Sequence, residues 1–339
     1  MEEVKIRVEG LVGRIILNRP KVLNSLTANM LSTIERALDG WQNDDNIAAV
    51  IISAKGEKAF CAGGDITNIY TEALKQNFEY GKLFWINEYR LNLKISEYPK
   101  PFVALMQGFT MGGGVGISCH GSHRVVGENS VIAMPECGIG LVPDVGGSHL
   151  LARLGSHLGT FLGTTAFRMN AGNAVYCRFA DYYIPRSKWK CLIRDISESG
   201  NVDSVLRNYM EKPPSSTIKL MRPLISEVYD TSNFNQIEVR MIKHSIFSDA
   251  LKHLQRNSPL SVAVTFEMLK LSQVSQSVES ALEVEYRYTS RAQEKTDFLE
   301  GIRAMVIDKD RKPKWRHSSL RDVQPDEVNE LLSPVGNSE

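Results

Sequence analysis

Three features of the sequence point to an α/β fold of repeated strand-strand-helix turns with an α-helical C-terminal region. Short strand-like runs recur: two alternating runs within Val4 to Leu17, and apolar runs at Ala48 to Ser53 and Phe102 to Met106. Between them lie glycine-rich turns and stretches whose apolar residues repeat every three or four positions, the helical period. From Thr217 onward that period dominates, as in Val262, Phe266 and Leu269 or Leu282 and Tyr286. Strands and helices alternating along one chain call for crossover connections between strands.

Val4-x-Ile6-x-Val8 and Gly13-Arg14-Ile15-Ile16-Leu17, divided at Glu9-Gly10, read as a hairpin that Asn18-Arg19-Pro20-Lys21 ends. Thr27 suits an N-cap. Met30, Ile34, Leu38 and Trp41 then line one face of a helix that stops near Asn43-Asp44-Asp45. Ala48 to Ser53 is a buried strand, Phe60 to Ile66 a glycine turn, and a helical stretch is expected from Ile69 to Ser96. Phe102 to Met106 is a second buried strand, bounded by Pro101 and Gly108. The turn Met111-Gly112-Gly113-Gly114-Val115-Gly116 follows, Ile117-Ser118-Cys119 reads as helical, and Arg124-Val125-Val126 as a strand. A helix through Leu150, Leu151 and Leu154 ends at Gly155, Phe161 to Tyr183 continues the fold, and Pro213-Pro214-Ser215-Ser216 reads as a linker. The expected division is a core over residues 1–210 and a helical region over 211–339 that packs on or caps it.

Composition narrows the function. A hydrophobic fraction of 42% is ample for a core. Lys+Arg 40 against Asp+Glu 39 leaves no bulk charge for nucleic acid or a membrane surface, so an anionic ligand must be met by local groups. Cys61, Cys119, Cys137, Cys177 and Cys191 are odd in number and scattered, which suits a reducing compartment and no metal site. Met1-Glu2-Glu3-Val4-Lys5 carries neither a signal h-region nor a transit-peptide pattern. As it stands the chain reads as cytoplasmic, or as mitochondrial matrix if a presequence has been removed. Phe102 to Cys119 is uncharged over eighteen positions, but its five glycines and Gln107 fit strand, turn and helix better than a membrane span.

The chemistry gathers around the glycine turns. Backbone this rich in glycine brings N–H groups against a ligand with no Cβ in the way. Two such turns can aim two N–H groups at one oxygen, the arrangement of an oxyanion hole, where losing one donor costs about 10²–10³ in rate. Glu136 and Asp144 stand eight residues apart in a segment otherwise almost wholly apolar or glycine. Glu88 has Phe84, Trp85, Leu91 and Asn92 one helical turn away, so it is paired in the core or directed into a pocket. The plain readings are ordinary turns, solvated acids and Asp65 as an N-cap; the conjunction within Phe102 to Gly147 favours a site. Lys309-Asp310-Arg311-Lys312-Pro313-Lys314-Trp315-Arg316 reads as a solvated face or a phosphate contact. Cys137 as a nucleophile lacks a nearby histidine, and His120 and His123 read as packing residues. There is no Gly-x-x-x-x-Gly-Lys loop, no Gly-x-Gly-x-x-Gly fingerprint in the glycine turns, no His-Glu-x-x-His and no Gly-x-Ser-x-Gly elbow.

By Phe60-Cys61-Ala62-Gly63-Gly64-Asp65-Ile66, Met111-Gly112-Gly113-Gly114 and Pro135-Glu136, the chain resembles the crotonase, or enoyl-CoA hydratase/isomerase, superfamily. The likeness extends through Gly140 to Gly147, Ser258-Pro259, Glu285-Tyr286-Arg287 and Glu300 to Asp310, nearly the whole chain. It implies a crotonase-like spiral of stacked β-β-α turns. Hydratases of this group carry one glutamate two residues after the third glycine of the turn and another after the later proline. Here those positions are Gly116 and Glu136, so a two-glutamate hydratase mechanism is disabled. Asp144 stands where hydratases have glycine, as in the group's hydrolases, and Glu88 matches the family's glutamate in the preceding helix.

The resemblance therefore implies a hydrolase of a short 3-hydroxyacyl-CoA thioester, with 3-hydroxyisobutyryl-CoA of valine breakdown as substrate. The N–H groups of Gly64 and Gly113 would hold the thioester oxygen. Glu136 would attack the carbonyl or act as base toward water; Asp144 would bind the substrate hydroxyl or position water; Glu88 would complete the polar end of the pocket. Coenzyme A, part of the substrate, would lie along Lys21, Val22, Leu23, Ala62, Asp65 and Ile66, with no metal and no separate cofactor. The family assembles as trimers and paired trimers, and the longer helical tail could cap those surfaces. The alternatives are an enoyl-CoA hydratase or isomerase and a non-catalytic acyl-CoA-binding protein.

Overall fold

The computed structural model describes residues 2–274 and 277–336. The hairpin forms as expected: β1 (Val4–Glu9) and β2 (Val12–Leu17) pair antiparallel with Val4 opposite Leu17. α1 (Ala28–Trp41) starts where Thr27 Oγ1 accepts from Met30 N at 3.1 Å, a cap worth about 1 kcal/mol, and it buries Met30, Ile34, Leu38 and Trp41. β3 (Ala49–Ala54), β4 (Ala59–Cys61), α2 (Thr67–Ala73) and α3 (Glu79–Ser96) follow. β5 (Phe102–Met106), β6 (Phe109–Met111) and α4 (Gly113–Cys119) make the next turn, and β7 (His123–Val126) and β8 (Val131–Ala133) open another. Then come α5 (Gly147–Ala152), α6 (Ser156–Thr165), β9 (Met169–Asn170), α7 (Ala171–Tyr176), β10 (Tyr182–Tyr183), α8 (Trp189–Ser199) and α9 (Val202–Tyr209). The last third is helical, as its periodicity requires: α10 (Thr217–Tyr229), α11 (Asn235–Met241), α12 (Ser248–Arg256), α13 (Pro259–Val274), α14 (Val278–Thr289), α15 (Ala292–Lys295), α16 (Phe298–Ile302) and α17 (Pro325–Leu332). Among the described residues no helix is long and apolar enough to cross a membrane. The uncharged run Phe102 to Cys119 is divided among β5, β6 and α4.

The chain forms two compact units. The first comprises Met1–Gly64, Asn87–Ala133 and Arg168–Lys219 and holds both sheets. In its six-stranded sheet the order is β1-β2-β3-β5-β7-β10, parallel from β2 onward; a four-stranded sheet runs β4-β6-β8-β9. Successive turns thus give one long strand to the first sheet and one three-residue strand to the second: β3 then β4, β5 then β6, β7 then β8. That is the expected repeat, but β6 and β8 are too short to show a periodicity of their own. One face of the large sheet, through Ala49, Ile51, Val103, Leu105 and Val125, is buried against Trp189, Leu192, Ile196, Val202 and Leu206 of α8 and α9. Each large apolar side chain removed from water there contributes about 1.5–3 kcal/mol.

The second unit comprises Asp65–Ile86, Met134–Phe167 and Leu220–Glu339. Here the expected helix from Ile69 to Ser96 is corrected: it breaks after α2. Gln76 takes a left-handed φ of 62°, Gln76 N donates to Ala73 O at 2.9 Å, and Asn77 N donates to Glu72 O at 3.0 Å. This paired closure ends a helix by satisfying its last carbonyls, and Asn77 Nδ2 adds a hydrogen bond to the Glu72 carboxylate at 2.9 Å. Ile66, not Asp65, occupies the cap position of α2.

Candidate active site

In the first unit the two glycine turns end at one place. β4 delivers Ala62 to Gly64 and β6 delivers Gly112 to the start of α4. Gly112 has φ 50° and Gly63 φ 112°, conformations that L side chains rarely adopt. A Cβ on Gly113 would lie 3.3 Å from Gly64 N, 3.2 Å from Leu26 Cδ1 and 2.3 Å from Glu88 Oε1. Only glycine at 113 lets these three groups stand so close. Backbone pairing holds the arrangement: Leu26 N donates to Gly63 O at 2.9 Å and Ala62 N to Leu23 O at 3.0 Å. The second of these ties the Pro20–Val22 turn, with Lys21 and Val22 exposed, to the glycine corner.

Glu88, on α3, is 3% exposed, and Asn92 one turn on is fully buried. Its carboxylate helps push the Cys61 thiol up to about 12, after burial, the larger cause. Gly114 packs α4 against β4: a Cβ there would meet Cys61 O at 2.3 Å. Gly116, the position of the first hydratase glutamate, is a buried member of α4.

In the second unit the acidic segment is buried throughout residues 140–148. Glu136 opens a single 3₁₀ turn, Glu136–Ile139, closed by Gly140 at φ 72° and by Leu141 N donating to Glu136 O at 3.1 Å. Glu136 and Asp144 are each 4% exposed. Asp144 begins a tight turn in which Gly147 N donates to its carbonyl at 2.7 Å. Within that turn Val145 has φ 57°, a strained conformation for a β-branched residue. Cys137 is fully buried, with Sγ 3.4 Å from Gly163 O and 3.3 Å from Thr265 Oγ1, and burial pushes its thiol up to about 12. A thiol so placed supplies no thiolate at neutral pH.

One carboxylate here was not singled out as a site residue. Glu285, on α14, is fully buried. Its Oε2 accepts from Gly146 N at 2.8 Å, and its Oε1 accepts from Ser148 N at 2.9 Å and Ser148 Oγ at 2.5 Å. Burial raises it to about 8, with the Asp144 charge adding and the three donors opposing. The signal lay in helical spacing: Ala281, Leu282, Tyr288 and Thr289, three or four residues away, are all buried.

The model of the enoyl-CoA hydratase/isomerase family matches residues 12–332. The chain belongs to that family. It is 36% identical to the mitochondrial 3-hydroxyisobutyryl-CoA hydrolase of Homo sapiens, over 100% of this chain and 90% of the relative. It is 39% identical to that of Xenopus tropicalis, over 97% and 88%. Among solved structures it is similar to an enoyl-CoA hydratase from Rhodobacter sphaeroides 2.4.1, at 44% identity and TM-score 0.94, covering 98% of each chain. A carnitinyl-CoA dehydratase from Mycobacterium thermoresistibile gives 38% identity and the same TM-score, covering 99% and 98%.

For this family member, Gly64, Gly113 and Glu88 are neighbours in the first unit, where Leu23 is hydrogen-bonded to Ala62 and the exposed Lys21 and Val22 precede it in the chain. Glu136 and Asp144, both buried, lie in the second unit, as do Asp65 and Ile66 at the entry to α2. The basic run from Lys309 is exposed over most of its length, and Asp310 within it pairs with Arg303 at 2.8 Å.

Proposed function

We propose that the protein hydrolyses the thioester of a short 3-hydroxyacyl-CoA, 3-hydroxyisobutyryl-CoA, to 3-hydroxyisobutyrate and coenzyme A, a step of valine catabolism. The observation that carries the reading is Gly116: in a chain similar over its length to 3-hydroxyisobutyryl-CoA hydrolases, the position of the first hydratase glutamate has no side chain. The mitochondrial matrix goes with that reading where the source has mitochondria, the cytoplasm where it has not.

The roles follow from what each group can do. The amides of Gly64 and Gly113 bind the thioester oxygen and stabilise the charge that grows on it. Glu136 attacks the carbonyl carbon, the C–S bond breaks, and coenzyme A leaves as a thiolate that takes up a proton. Water then cleaves the resulting anhydride, releasing the hydroxyacid and restoring the Glu136 carboxylate. Asp144 binds the substrate hydroxyl, and Glu88 supplies a further polar group beside Gly113. Lys21, Val22, Leu23, Ala62, Asp65 and Ile66 receive coenzyme A.

A second reading, hydration of an enoyl-CoA, is favoured by the name of the 44% identical Rhodobacter structure and opposed by Gly116. Thiol release from 3-hydroxyisobutyryl-CoA decides between them. Rapid release of free thiol, with crotonyl-CoA hydrated no faster than by a Glu136→Ala variant, is the expected result. Hydration of crotonyl-CoA without thiol release overturns it.

A further inference from the structure

Glu285 takes no part in the chemistry just described, yet it is a fully buried carboxylate whose two oxygens are spent on one short segment of chain. It accepts from Gly146 N, Ser148 N and Ser148 Oγ at 2.8, 2.9 and 2.5 Å. These donors lie directly beyond Asp144, and Val145 between them is held at φ 57°. A β-branched residue keeps such a backbone only where the surroundings over-determine it. Gly146, at φ 75°, carries the chain on through the left-handed region, where glycine adds no strain of its own. Buried acids with no chemical duty are costly, because desolvation opposes their charge, so a use within the fold is called for.

We infer that Glu285 is a positioning residue: from α14 it fastens the turn 144–148 in the shape that presents the Asp144 carboxylate to the hydroxyacyl group. The inference rests on the reading above, in which Asp144 acts on the substrate. In Glu285→Gln the side chain keeps its size but exchanges one acceptor oxygen for an NH₂ group, which cannot receive an N–H. Each carboxyl oxygen keeps a lone pair for an N–H whether or not the acid carries its proton, and the amide nitrogen does not, so either Gly146 or Ser148 then faces a donor and the turn is released at one end.

The test combines Glu285→Gln, Ser148→Ala and Asp144→Asn, alone and paired, in the full chain. For Glu285→Gln, kcat/KM for thiol release from 3-hydroxyisobutyryl-CoA is expected to fall roughly 10–10²-fold, the cost of a small misplacement of a group that holds and orients the substrate. Added to Asp144→Asn, the same change is expected to remove less than about twofold more, because residues that act as a unit are not additive. Ser148→Ala, which deletes one donor only, is the milder variant should Glu285→Gln fold poorly, and a fall of severalfold is expected. Amide hydrogen exchange of the 144–150 segment reads the fastening without any substrate, and is expected to quicken in both variants. Additive losses in the double variant, or exchange unchanged in Glu285→Gln, overturn the inference. A wild-type protein that releases no thiol while exchange still quickens overturns the proposed reaction instead, and leaves Glu285 as the residue that fastens the turn.

Discussion

In the glycine corner of the first unit the backbone is shaped by what is missing. Gly113 stands where a Cβ would lie 2.3 Å from Glu88 Oε1, and Gly114 where one would lie 2.3 Å from Cys61 O. In the acid turn of the second unit it is shaped by what is added, a glutamate from another helix that receives three hydrogen bonds. The first arrangement fails by collision and the second by loss of acceptors. Substitutions in the two places therefore differ in kind: an added methyl group does the damage in one, and a change of one atom at constant size is enough in the other.

The largest expected effect probes the acid side. Glu136→Gln, isosteric and uncharged, should lower thiol release roughly 10²–10⁴-fold with the melting temperature held; activity within a few-fold of wild type removes Glu136 from the chemistry. Gly113→Ala probes the other side. It should cost about 10²–10³ in kcat, and the comparison breaks if alanine at 113 is tolerated.

Next comes a pH dependence that belongs to the acid turn. The Glu285 carboxyl is raised from 4.5 to about 8 in the fold, so between those values the folded protein holds a proton that the unfolded chain gives up. Stability should be greatest below about pH 4.5 as far as this group is concerned and fall as pH rises through about 8, by on the order of a few kcal/mol. Urea midpoints across that range should show the slope in wild type and its loss in Glu285→Gln; equal slopes would place the titration elsewhere. Gly114→Ala should destabilise by about 1–3 kcal/mol in the same measurement, since a backbone oxygen cannot step aside as a side-chain tip can. The smallest effect is at Cys137. With its thiol pushed to about 12, Cys137→Ala should leave kcat within about twofold, and a large loss would restore it as a nucleophile.

Much of this was legible in the residues. The hairpin, α1 with its Thr27 cap, β3, β5 and the helical last third all follow from period and capping, because each is long enough to repeat. The strands β6 and β8 were not visible, since three residues carry no period and their pairing is made by chain distant in sequence. The break after α2 was hidden because Gln76, not glycine, takes the left-handed position, and the signal was the Glu72 and Asn77 side chains around it. Glycine runs announced the first corner. Glu136 and Asp144 stood out by isolation among apolar residues, whereas Glu285 sits among Glu279, Glu283, Arg287 and Arg291 and looks like any surface acid until its helix face is counted.

Val145 sets a limit on how this enzyme could be made hardier. A residue with unfavourable backbone angles is an obvious target for replacement by glycine, which would relax an energy of about 1–3 kcal/mol. But Val145 is 1% exposed, so the exchange would hollow out a filled interior and add freedom to the denatured chain, and both effects oppose the gain. Heat tolerance in this protein is better sought on its surface than in the turn that carries its acids.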